Sequence, residues 1–211
     1  MLVLVAGWLA CGAQTSLREV GGSVEDVVPT GWTHVEATGD LNKDGLTDLV
    51  VIATPDDSAH MNPASDYAQN FNRPVLGIYW GTNDGTLRLF RSYADIVPGN
   101  ADEYHYADYE LTITPKGVLH LAIIYFTSAG TSENSTDTYV YRYQQGDFFL
   151  IGQEQVVYSR MTGEMVAESF NYLTHKKKET TGSVFDDGPD ERVRWERLAR
   201  EPLRRLGSFE M

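Results

Sequence analysis

The sequence predicts an all-β fold, and three observations support that class. Beyond residue 22, apolar and polar residues alternate with period two along most of the chain, the pattern of strands with one buried face. Amphipathic helical periodicity is scarce over the same length. Turn chemistry recurs between the alternating runs at Asn83-Asp84-Gly85, Pro115-Lys116-Gly117, Gln145-Gly146 and Thr162-Gly163.

Taken in order, a short helix is expected over Ser23–Val28, with Ser23 as its cap and Glu25 and Asp26 in its first turn. Strands follow at Thr33–Thr38 and Asp48–Ala53, joined by an Asp/Asn/Gly-rich loop, and at Val75–Gly81 and Thr86–Arg91, joined by Asn83-Asp84-Gly85. Ala107–Thr114 and Val118–Phe126 flank Pro115-Lys116-Gly117, while Asp137–Gln144 and Asp147–Gln153 flank Gln145-Gly146. Gln155–Arg160, Met165–Thr174, Lys176–Thr181 and Arg192–Leu198 complete about twelve strands. Their up-and-down order groups as three antiparallel four-stranded meanders starting near residues 33, 107 and 155, within a single all-β domain spanning 23–211. Thr54–Pro74 is a long polar insertion containing Asp56, Asp57 and Asp66, and it reads as a functional or mobile loop. Residues 127–136 form a second polar loop.

Composition narrows the function. The 211 residues suit one domain with a real core, and 42% hydrophobic with 22% charged residues is neither a disordered nor a membrane-embedded balance. A formal charge of −13 argues against a nucleic-acid partner, because phosphate binding needs clustered positive charge. Residues 2–10 are too short an apolar run to span a bilayer, which takes about 20 residues. Followed by Cys11-Gly12-Ala13, they read as an export signal over 1–13, the alternative being a buried first strand. Cys11, the single cysteine, stands where a lipoprotein signal places its lipid anchor, although Trp8 replaces the usual leucine; cleavage after Ala13 is the other outcome. Either way the chain is expected to be exported, to the periplasm, to an outer-membrane lipoprotein or to the cell surface.

The most specific chemistry lies at residues 40–48, Asp-Leu-Asn-Lys-Asp-Gly-Leu-Thr-Asp. Oxygen side chains alternate at Asp40, Asn42 and Asp44, Gly45 permits a sharp turn, and Asp48 returns a fourth. A hard cation taking six to eight oxygens suits this donor set, so Ca2+ is the expected cofactor. The competing reading is a metal-free hairpin, since the same residues favour turns. An EF-hand is ruled out: Val51 stands where the twelfth-position acid belongs, and strands rather than helices flank the loop.

With its flanks, Ala37 to Ile52, the loop resembles the FG-GAP or VCBS repeat of integrin-α-like β-propellers, and Leu76–Thr86 resembles the second half of the same blade. The resemblance covers residues 33–91. It implies a calcium loop joining the first two strands of a blade, with Asp40, Asn42, Asp44 and Asp48 as side-chain ligands and Leu46 donating its carbonyl. It also implies propeller-like units, although 211 residues cannot close a ring of six or seven blades, so the propeller would be incomplete or divergent. More widely, Val28–His34, Tyr141–Gly152, and Thr162–Met165 with Asn171–Thr174 resemble a family of uncharacterised exported bacterial proteins, in which His175 replaces a common glycine.

Other constellations carry less. The histidines His34, His60, His105, His120 and His175 show no helical metal spacing, and no nucleophile elbow or phosphate loop occurs. Tyr139, Tyr141 and Tyr143 alternate along one strand, as a sugar-stacking row or as core. Arg192, Arg194, Arg197, Arg200, Arg204 and Arg205 make a basic tail that either docks on the chain's own acidic surface or meets anionic lipid or polysaccharide. The expected function is a non-catalytic, calcium-binding envelope module with a protein or glycan partner. The alternative is a hydrolase acting on polysaccharide or peptide, with Asp57 and Asp66 as acid and base, which requires the two carboxyls about 5–9.5 Å apart.

Overall fold

Every residue from Leu49 to Ala53 is apolar, so a strand there has no face suited to water and must be covered on both sides. The computed structural model, which describes residues 16–62, 69–185, 192–209 and 211, covers it in that way. In chain order the elements are β1 (Val20–Gly21), α1 (Val24–Val27), β2 (Thr33–Gly39), β3 (Asp48–Thr54), a 3-10 turn (Ser58–His60), β4 (Met61–Asn62) and β5 (Gln69–Asn70). They continue with β6 (Val75–Gly81), β7 (Leu87–Tyr93), β8 (His105–Ile113), β9 (Val118–Thr127), β10 (Glu133–Gln144), β11 (Asp147–Ser159), β12 (Glu164–Asn171), β13 (Lys176–Ser183) and β14 (Arg192–Arg197). One sheet runs β1-β7-β6-β3-β2, a second runs β14-β13-β12-β11-β10-β9-β8, and β4-β5 form a small ladder. The fold is all-β and its pairings are antiparallel.

The two larger sheets share a core. Val50 and Ile52 of β3 and Leu76 and Ile78 of β6 pack with Leu119, Leu121 and Ile123 of β9, Tyr141 of β10, and Phe148 and Leu150 of β11. On the other face of β3, Leu49, Val51 and Ala53, with Tyr79, are roofed by Leu17, Val28, and Val24 and Val27 of α1. Each such large side chain, removed from water, contributes about 1.5–3 kcal/mol. Burial also explains the helix: α1 has only four residues and no side-chain bond from Ser23 at its cap, so its inward valines hold it in place.

The expected four-stranded unit at 33–91 is present as β2, β3, β6 and β7. The expected second and third units are not separate: β8 to β14 form one seven-stranded meander. The reason lies in β11. The sequence reading breaks it at Glu154, but Asp147–Ser159 is continuous, with a bulge at Ile151 where the register passes from Tyr141↔Leu150 to Val140↔Gly152. The bulge divides the edge of β11 between two neighbours. Gly152–Tyr158 pairs with β12, while the first half meets the C-terminal segment: the Leu150 N–H donates to the Arg204 carbonyl and the Leu206 N–H to the Phe148 carbonyl. The export segment 1–13, Cys11 and Asp66 lie outside the described residues. No helix among the described residues is long and apolar enough to cross a membrane.

Candidate metal site

The loop between β2 and β3 begins at a buried residue and ends at one. Leu41 sits in the inter-sheet core at 1% exposure, and Asp48 opens β3 fully buried. Between them the backbone reverses through two left-handed residues, Lys43 (φ 64) and Gly45 (φ 86). Glycine takes that conformation freely; lysine does so at a cost, offset here by the bonds around it.

Those bonds draw three of the expected ligands together. The Asp44 N–H is shared by Asp40 Oδ1 at 3.1 Å and Asn42 Oδ1 at 3.0 Å. Asp40 Oδ2 accepts from the Gly45 N–H at 2.9 Å, and Asp44 Oδ1 from the Leu46 N–H at 2.8 Å. Asn42 Nδ2 donates to Asp44 Oδ2 at 2.9 Å. Asp40, Asn42 and Asp44 therefore surround one exposed turn with oxygens.

Asp48 is tied down by backbone amides. Its Oδ2 accepts from the Leu41 N–H at 2.8 Å and its Oδ1 from the Gly81 N–H at 3.0 Å, so it clasps the loop start to the end of β6. Burial raises its pKa above the ordinary carboxylate value, with the amides of Gly81, Leu41 and Asn42 opposing that shift. The second sheet braces the loop as well: a side chain on Gly117, in the β8–β9 turn, would meet the Asp40 carbonyl at 2.6 Å. Among the described residues, no three histidine, cysteine or acidic side chains gather at metal spacing. What the loop brings together is two carboxylates and an amide.

The other sequence candidates resolve into structure. Tyr139 and Tyr141 are core residues at 6% and 0% exposure, and Tyr143 packs edge-on against Trp80 and Phe90, so this row stacks within the protein. Asp57 caps the 3-10 turn by accepting from the Ala59 N–H and lies 3.4 Å from His60. The described ends of the 54–74 insertion are stitched down by amides: Asn70 Nδ2 donates to the Pro55 carbonyl and Asn72 Nδ2 to the Asp57 carbonyl. His105 closes a local turn with Asp102, whose carboxyl is held below its ordinary pKa first by the Tyr104 N–H and then by the histidine. In the basic tail, Arg205 approaches Asp147 at 3.8 Å, and Arg204 lies over the Phe209 ring at 4.3 Å, so these two dock on the chain itself.

One polar row escaped the sequence reading. Asp137, Gln155, Glu168 and Glu179 lie in register across β10 to β13, on the same sheet face as the core residue Ile123. Only cross-strand register aligns them, and no local motif announces it. Lys177 reaches Glu168 at 2.5 Å, whereas Asp137 Oδ1 is buried without a partner among the described residues. Burial raises the Asp137 pKa from 3.8, with Gln155 opposing. The folded state then binds this proton more tightly than the unfolded chain does. That contribution to stability is full below the unfolded pKa and is lost as pH rises through the raised folded value. Asp137→Asn is expected to raise stability at neutral pH by about 1–3 kcal/mol and to flatten the acid-side rise, as read from melting curves across pH.

No family model, curated protein or solved structure matches the chain.

Proposed function

We propose that this chain is an exported, non-catalytic β protein whose 40–48 loop binds Ca2+ as an FG-GAP-like unit, and that it serves the cell envelope as a binding module. The observation that carries the reading is the convergence of Asp40 Oδ1 and Asn42 Oδ1 on the single Asp44 N–H, beside the Asp44 carboxylate. An all-oxygen donor set fits a hard cation, with side chains from Asp40, Asn42 and Asp44, the Leu46 carbonyl, and water completing the shell. Asp48 can add a fourth side chain, since each of its oxygens keeps a lone pair beyond the bond from Leu41 or Gly81. The placement of the loop between the first two strands of the β2, β3, β6, β7 unit supports the propeller-like kinship. The ion's role is to fix a turn wedged between two sheets.

The test is thermal unfolding of the chain in calcium, magnesium or chelator. At a free concentration 100 times the Kd, a ligand specific to the folded state contributes about 2.7 kcal/mol. For a chain of this size that raises the melting temperature by roughly 5–11 °C. Asp44→Ala should abolish the response. Equal melting temperatures in calcium and chelator would defeat the metal assignment.

A further inference from the structure

The outer face of β13 and β14, opposite the core side, concentrates positive charge on a chain whose formal charge is −13. Lys176 pairs directly with Arg197, and Lys178 with Trp195, in the antiparallel register. Directly opposed side chains share a face about 4.5–5.5 Å apart, where like charges repel. None of Lys176, Lys178 and Arg197 forms an ion pair among the described residues. The carboxylate that shares their face in the row of Lys178, Glu154, lies two strands away beyond Ser169. By contrast, Lys177, between the two outer lysines, turns to the other face and is neutralised by Glu168 and Glu179. Charges on an edge strand discourage edge-to-edge pairing, but Lys176 and Lys178 sit on β13, an interior strand, so edge protection does not explain them.

Apolar residues are interleaved with these cations. Trp195 is 63% exposed, Val193 48%, and Leu173, in the β12–β13 turn beside Lys176, 45%. Tryptophan settles at the headgroup level of a bilayer, and lysine and arginine are drawn to an anionic leaflet. A neutral saccharide stacked on Trp195 would leave the charges of Lys176, Lys178 and Arg197 unanswered, whereas an anionic leaflet answers them. Screening over about 8 Å at physiological salt keeps the acidic remainder of the chain from cancelling the local attraction.

We propose that the outer face of β13–β14 docks on anionic phospholipid bilayers. This names a partner for the envelope module yet rests on neither the calcium loop nor the export segment. The experiment is flotation of the full chain with phosphatidylcholine vesicles, with and without phosphatidylglycerol, across a salt series. Any contribution of residues 1–10 is common to the variants and does not depend on lysines of β13. Binding should require phosphatidylglycerol, weaken with salt, persist in chelator, and fall about 100-fold in the Lys176→Glu/Lys178→Glu/Arg197→Glu variant. Trp195→Ala should weaken binding at an unchanged melting temperature, which separates docking from folding. Four outcomes would overturn the proposal: equal binding to both vesicle types, wild-type binding by the triple variant, binding that appears only with added calcium, or retention on a soluble anionic polysaccharide without flotation.

Discussion

Asp48→Ala is expected to destabilise the protein by about 2–6 kcal/mol even in the presence of chelator, because a buried and a half-buried backbone donor lose their acceptor at about 1–3 kcal/mol each. The donors are the N–H groups of Leu41 and Gly81, and the residue that serves both is fully buried. For a chain of this size the melting temperature should fall by roughly 4–24 °C. Asp48→Asn should recover only part of this, because its amide offers one acceptor and turns an N–H toward the other donor. The result separates two roles that the sequence merges. A residue acting only as a calcium ligand would show its loss in calcium and nowhere else, whereas the clasp predicts a loss that chelator leaves intact. Measuring both variants with and without chelator decides between them. A wild-type melting temperature for Asp48→Ala in chelator would remove the clasp.

The turn at residues 40–48 was legible because its signal is local. Alternate oxygens, a glycine and a return aspartate occupy nine consecutive residues, and the reversal at Gly45 follows from them. The sequence did not reveal that Asp48 faces backbone amides, since its partner Gly81 lies 33 positions along the chain. The left-handed Lys43 was equally hidden, because no composition rule places a lysine there. Strand positions followed well from alternation and turn residues, yet their grouping did not. A bulge at Ile151 lets β11 continue where polarity suggests a break at Glu154, and that continuity fuses two expected meanders into one sheet. The lysine run shows the same limit. Residues 176–178 look uniform in sequence, but strand parity sends Lys177 to a pair of glutamates and its neighbours to the opposite face. Local rules fix the alternation, whereas the partners across it depend on register.

Leu206→Ala is expected to cost about 2–5 kcal/mol, the price of emptying a well-packed core position. Leu206 is 3% exposed and belongs to the inter-sheet core, although it comes from an irregular segment with two arginines immediately before it. Pairing on both sides of the side chain sets its depth: the Leu206 N–H donates to the Phe148 carbonyl, and the Arg204 carbonyl accepts from Leu150. Farther on, the Met211 N–H reaches the Ile96 carbonyl, so the segment spans from β11 to the connection before β8. The segment thus completes the part of β11 that β12 cannot reach past the bulge. Truncation after Leu203 should therefore cost more than Leu206→Ala, because it also strips the backbone partners of Phe148 and Leu150. Urea denaturation would measure both, with the midpoint falling further for the truncation. Hydrogen exchange at the Leu150 amide gives an independent reading: protection should survive in Leu206→Ala and collapse in the truncated chain. Equal protection in the two would mean that solvent or another strand had replaced the C-terminal segment, and that the segment does not hold the first half of β11.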